Sequence, residues 1–125
     1  MTLHEVVAVL GCRVICGGDL LDTEVEVACG SDLMSDVLAF FKAGSLLLTG
    51  LANVQSVRTA DVADAKAVVY VRGKEPESEA IALATEKRIP LLSTDWTMYE
   101  ACGKLYAAGL PGGCEHCDRG TEESP

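Results

Sequence analysis

Four times along this chain a short aliphatic and β-branched run gives way to a stretch with helical spacing, and few architectures accept that rhythm. The runs at 24–29, 45–49, 67–71 and 89–93 read as strands; the segments 32–42, 53–63, the one entered at Pro76, and 95–108 read as the helices that follow them. Alternating strand and helix implies parallel strands joined by crossover helices, because parallel neighbours cannot be linked by a tight hairpin. Near-continuous apolar runs such as Leu46-Leu47-Leu48 and Val68-Val69-Tyr70-Val71 are what a sheet covered on both faces requires. The expected class is therefore α/β, with three α/β/α layers and a mainly parallel sheet of about four to five strands.

The start of the chain adds one more helix and strand. Thr2 and Glu5 have the spacing of a capping box, Leu3, Val6, Val7 and Leu10 recur at helical intervals, and Gly11 is placed to end the helix. Residues 12–16 then alternate like a short strand, which would put Cys12, Val14 and Cys16 on one side, before a turn at Gly17-Gly18-Asp19. The third helix is expected to carry Pro76 in its first turn and Ala80, Ile81 and Ala84 on one face. The last shows two apolar stripes, Met98-Cys102-Leu105 and Trp96-Tyr99-Tyr106. Gly109 to Gly113 breaks it, so a domain over 1–110 and a flexible Gly/Cys-containing tail over 111–125 are expected. A chain of 125 residues with 49% hydrophobic content can bury one core and is too short for two.

The formal charge of -9 sets the chain against nucleic acid, whose phosphates it would repel. There is no basic leader at Met1 and no apolar stretch approaching the roughly 20 residues of a membrane span. A cytoplasmic protein with no membrane partner is the expectation, and in a reducing compartment six cysteines read as thiols or metal ligands rather than disulfides.

In an open parallel sheet ligands bind beyond the carboxyl ends of the strands. The polar residues fall there: Gly30, Ser31, Asp32, Ser35 and Asp36 after the first run, Thr49, Gly50 and Asn53 after the second, Arg72 and Gly73 after the third, and Ser93, Thr94 and Asp95 after the fourth. From these we take Ser31, Asp32, Ser35, Thr49, Asn53, Arg72, Ser93, Thr94 and Asp95 as candidate ligand-binding residues, with helix amino termini and Arg72 suited to an anion. Each of the Ser, Thr, Asp and Asn positions also reads as a helix cap. Asp32 and Asp36, four apart, would share a helical face and either bind a cation or face water. No phosphate-binding glycine motif occurs, Gly73-Lys74 being the nearest approach, and the two histidines, His4 and His116, are far from these junctions in sequence. No catalytic residues are assigned.

Cys114 and Cys117 form a C-x-x-C that can hold a metal or close a local disulfide, with His116 as a third candidate ligand. One pair is half of a tetrahedral site, and Cys12 with Cys16 would complete it if the tail folded back. Candidate cofactors are zinc or an iron-sulfur cluster, although no four-cysteine ferredoxin run is present. The pair follows a helix, whereas thioredoxin chemistry places it at a helix amino terminus that lowers a thiol pKa. Cys29 and Cys102 read as small buried hydrophobes.

Leu21-Asp22-Thr23-Glu24-Val25 and the string from Gly30 through Asp32 and Ser35 to Val37 resemble the front half of stand-alone DRTGG domains. Residues 44–49, Asn53-Val54-Gln55, 67–71 and 89–94 resemble the second half in the expected order, so the likeness covers roughly residues 1–110. The contiguous D-R-T-G-G string does not occur, since Asp22 is followed by Thr23 and Glu24. The resemblance implies an α/β/α domain similar to the amino-terminal domain of HPr kinase/phosphorylase, which lacks the kinase active site. It also implies company: relatives accompany CBS domains and phosphotransacetylases, and some stand-alone versions occur beside iron-only hydrogenase or NADH-linked redox subunits.

The expected function is a non-catalytic regulatory or ligand-sensing module, binding a small anionic ligand or a partner protein at the strand carboxyl ends. The alternative is an accessory protein of iron-sulfur or hydrogenase-linked redox metabolism, partnered by a redox or metabolic enzyme subunit and using the tail cysteines for metal binding or thiol switching. Exposed apolar surface on so small a domain would suit a homodimer.

Overall fold

The computed structural model of the chain describes residues 1–113, so Cys114, His116 and Cys117 lie outside the described residues. In chain order the elements are α1 (Leu3–Leu10), β1 (Arg13–Cys16), a 3-10 turn (Gly18–Leu20), β2 (Ala28–Gly30), α2 (Met34–Phe40), β3 (Leu46–Thr49), α3 (Val54–Val62), β4 (Ala67–Tyr70), α4 (Ser78–Lys87), β5 (Leu91–Ser93) and α5 (Met98–Ala107). The five strands lie in the order β1-β5-β4-β3-β2. β2 through β5 pair in parallel, and β1 joins β5 antiparallel. The α/β expectation and its mainly parallel sheet of four to five strands therefore hold.

Helices cover both faces of the sheet. Leu46, Leu48, Ala67, Val69 and Leu92 point to one side and pack with Leu3, Val6 and Leu10 of α1 and with Ala101 and Leu105 of α5. Leu47, Val68, Tyr70 and Leu91 point to the other, against Val37, Val57, Ala60, Ala80 and Ala84 of α2, α3 and α4. Every residue of β3, β4 and β5 is buried as a result, and the buried Tyr70 hydroxyl is satisfied by Ser56 Oγ at 2.8 Å.

The sequence signals for α1 hold in detail. The Thr2 hydroxyl accepts from the Glu5 amide, the Glu5 carboxylate accepts from the Thr2 amide, and Gly11 ends the helix in the left-handed conformation at φ 63°. Gly17, at φ 80°, turns the chain so tightly that a Cβ there would stand 2.6 Å from Pro90 Cα. Glycine alone meets both demands.

Four local expectations are corrected. β1 carries a register shift between Val14 and Cys16, so Ile15 and Cys16 pack toward the α2–α4 layer while Cys12 packs toward α1 and α5. Cys12 and Cys16 are thus on opposite faces, and Val14 is 40% exposed. The run at 24–29 enters the sheet only at Ala28, because Val25 is already paired with the chain start: its amide donates to the Met1 carbonyl and its carbonyl accepts from the Met1 amine. Pro76 stands outside α4. Glu77 is the N-cap in extended geometry, its amide held by the Ala52 carbonyl at 3.1 Å, so the first helical residue is Ser78. α2 begins at Met34, which leaves Asp32 in the preceding loop and off the helical face that carries Asp36.

Because β3 is packed from both sides and α3 is half in solvent, substitutions should separate sharply. Leu47→Ala is expected to lower the unfolding free energy by about 2–5 kcal/mol. Val62→Ala, at a side chain 75% exposed, is expected to change it by less than about 0.5 kcal/mol. Urea denaturation of both variants checks the contrast; equal effects would contradict the two-faced sheet.

Candidate functional site

The carboxyl ends of β2, β3 and β4 meet at Gly50. The Asp32 carboxylate, on the loop after β2, reaches across to β3: its Oδ1 accepts from the Gly50 amide at 2.6 Å and from the Thr49 hydroxyl at 3.1 Å. Thr49 Oγ1 in turn accepts from the Leu51 amide at 3.2 Å, so the buried hydroxyl both donates and accepts. Ser31 shapes the same loop by accepting from the Leu33 amide at 3.1 Å, and its own amide continues the ladder to the Leu48 carbonyl. Asn53 caps α3, accepting from the Ser56 amide at 3.2 Å.

Arg72 approaches from β4. It sits in the left-handed region at φ 59°, and the turn is clamped by two backbone bonds of 2.8 Å, Arg72 amide to Trp96 carbonyl and Gly73 amide to Thr94 carbonyl. This geometry sends the guanidinium over the β3 end. A Cβ built on Gly50 would lie 2.7 Å from Arg72 Nη2 and 3.4 Å from Asp32 Oδ1. The missing side chain at Gly50 thus lets a guanidinium and a carboxylate both approach the end of β3, and among the described residues no ion pair involves Arg72.

The remaining candidates are placed differently. The Ser93 hydroxyl donates to the Lys74 carbonyl at 2.7 Å and accepts from Arg13 Nη2 at 3.0 Å. Asp95 pairs with Arg13 Nη1 at 3.2 Å, and Glu75 closes the network on Arg13 at 2.7 Å. Thr94, fully buried, donates to the Leu10 carbonyl at 2.8 Å and so ties β5 to α1. Ser35 is exposed on α2. The structure therefore brings Asp32, Thr49 and Arg72 together, with Ser31 and Asn53 in the loops beside them, engages the buried Ser93 and Thr94 in the scaffold, and leaves Asp95 at the surface paired with Arg13. Arg13 and Glu75 escape sequence reading because their partners come from 62 to 82 residues away.

A sizeable cavity was also not legible in the sequence. It is a groove of about 750 Å³ between α5 and β2, closed at one end by residues 110–113, where the Ala28 amide donates to the Pro111 carbonyl and Ala28 bridges Gly112. It reaches Gly30, Leu48 and Trp96, each within two residues or one hydrogen bond of the polar cluster.

Among the described residues no group of three or more His, Cys, Asp and Glu side chains is arranged to hold a metal. The pairing of Cys12 with Cys16 as completing ligands fails on geometry, since the β1 bulge sends them to opposite faces. At Cys12 burial pushes the thiol up to about 12 from 9.0, outweighing the charge of neighbouring Arg13.

The same shift has a consequence for stability. The fold favours the protonated Cys12 thiol, so this contribution is complete below the unfolded value of 9.0 and is lost as pH rises toward about 12. Urea denaturation across that range should show stability falling more steeply in the parent than in Cys12→Ala. Identical slopes would contradict the burial of the thiol.

A family model described as DRTGG domain matches residues 5–108. No curated protein matches the chain in sequence. In fold the chain is similar to the CBS and DRTGG domains of the regulatory region of Clostridium perfringens pyrophosphatase, whose structure is complexed with its activator, diadenosine tetraphosphate. The TM-score is 0.71 at 15% identity over 88% of this chain and 47% of that one. The chain thus spans about half the length of that regulatory region, and at this identity the likeness is one of fold.

Proposed function

The chain belongs to the DRTGG domain family, and from that premise we propose that it is a non-catalytic regulatory module that binds a small anionic ligand at the carboxyl ends of β3 and β4. The observation that carries this reading is the Asp32 carboxylate on the Gly50 amide and Thr49 hydroxyl, at 2.6 and 3.1 Å. The loop already holds an oxyanion, and the oxyanion is its own. A phosphate or carboxylate exchanging with it inherits both donors and gains the Arg72 guanidinium, which lies against Gly50 and has no ion-pair partner among the described residues.

The exchange also supplies a signal. Asp32 is the only side chain of the 31–33 loop bonded to β3, and Leu33, next in sequence, is the N-cap of α2. Leu33 and Leu38 are 57% and 53% exposed, so the surface that changes when Asp32 lets go is apolar and suited to a partner protein. The pyrophosphatase regulatory region supports the ligand class by its activator, a polyphosphate, and supports the regulatory role by its own.

Calorimetric titration of the full chain with inorganic phosphate, pyrophosphate, ATP and diadenosine tetraphosphate tests this. At least one is expected to bind. Arg72→Ala should weaken that binding by about tenfold or more, the worth of a charge-assisted hydrogen bond. Asp32→Asn, which keeps an acceptor for Gly50 and removes the competing charge, should strengthen it. Silence from both the parent and Asp32→Asn would sink the reading, as would binding indifferent to Arg72→Ala.

A further inference from the structure

The groove between α5 and β2 has a glycine in its wall that the fold does not explain. Gly103 lies in the interior of α5, where glycine is the least favourable residue after proline. A Cβ at Gly103 would meet nothing within 4 Å, and its φ lies outside the left-handed region. Gly30, on the opposite wall, has a packing reason: its Cβ would stand 2.9 Å from both Cys102 Sγ and Met98 Sδ. At Gly103 the one visible effect of the missing side chain is open space in the groove.

Two further features say what that space suits. The groove measures about 750 Å³, within the roughly 300–1,000 Å³ of small-molecule sites. Its walls carry Trp96, Tyr99 and Tyr106, whose flat faces suit a planar apolar body. Lys104 supplies the one lysine or arginine of the lining, its ammonium held 4.0 Å above the Trp96 ring centroid. No ion pair among the described residues involves it; Glu100, one turn earlier, is instead engaged by the Thr97 hydroxyl at 3.0 Å. The lining thus carries one carboxylate, Glu100, and one ammonium, Lys104, which lies over Trp96 and in no ion pair among the described residues. An apolar slot of this kind is complementary to an amphipathic anion whose acidic group lies on the Lys104 side.

We infer that this groove is a second ligand site, taking a small molecule with a planar apolar body and one acidic group. The body lies along α5 over Gly103 and the acidic group pairs with Lys104. None of its residues belongs to the Asp32, Thr49 and Arg72 cluster, so it stands whether or not that cluster binds an anion.

Trp96 is the sole tryptophan and therefore a built-in reporter. The full chain is titrated with anilinonaphthalene sulfonate, following dye emission excited directly and through Trp96, alongside neutral N-phenylnaphthylamine. Saturable one-to-one binding with quenching of Trp96 is expected for both probes. Gly103→Leu, which improves helix propensity and fills the slot, should weaken both by about tenfold or more, with Gly103→Ala giving a smaller, graded loss. Lys104→Met should weaken the sulfonate and spare the neutral probe. No saturable binding, or unchanged affinity in both Gly103 variants with native circular dichroism, would overturn the site; equal loss of both probes in Lys104→Met would overturn the acidic group. Should dye affinity fall with protein concentration while sedimentation shows a dimer, the groove is an interface between copies and the inference is wrong.

Discussion

Leu46, Leu47 and Leu48 are each fully buried, the outer two against α1 and α5 and the middle one against α2, α3 and α4. With both faces of the sheet covered, the central strands have no room for a polar side chain that is not satisfied internally. Chemistry is driven to the strand ends. Thr49 marks the boundary: it is the last residue of β3, buried, and its hydroxyl is the first polar group the strand presents to a neighbouring loop.

From that boundary outward, the polar groups divide by what they hold. Thr94 and Ser93 turn inward and fasten β5 to α1 and to the segment after β4, while Arg13 gathers Glu75 and Asp95 and fixes the antiparallel edge strand. These bonds set the position of Arg72, whose left-handed turn is clamped to the Thr94 and Trp96 carbonyls. The scaffold on one side of the site is therefore tied down by several bonds. On the other side the Ser31 amide holds the loop to the Leu48 carbonyl, and an exposed carboxylate, Asp32, is bonded to the end of β3. A guanidinium facing a loop carboxylate that occupies the end of β3 is the arrangement behind the sensing role proposed for the domain.

Much of this was legible in the sequence because the signals are local. The capping box at Thr2 and Glu5, the stop at Gly11 and the caps at Asn53 all depend on residues within a few positions of one another. The convergence of Asp32, Thr49 and Arg72 could also be read, since parallel strands bring their carboxyl ends together whatever their lengths. What could not be read depends on distant partners. The bulge in β1 separates Cys12 from Cys16 because the strand must fit β5, and Val25 is drawn out of the sheet by the chain start. A hydroxyl at a strand end gives no sign of the Leu10 carbonyl, 84 residues earlier, to which Thr94 donates. The groove beside α5 is a product of packing between α5, β2 and residues 110–113, which no local signal reports.

The exchange of Asp32 for an external anion is open to direct observation by amide chemical shifts. In a titration of the labelled full chain with pyrophosphate, the largest shifts are expected at Gly50, Leu51 and the 31–33 loop, with smaller ones along α2 and little change at Thr94. Shifts confined to other parts of the chain, or a Gly50 amide unmoved while pyrophosphate binds, would contradict the role given to Asp32 and the site built around it.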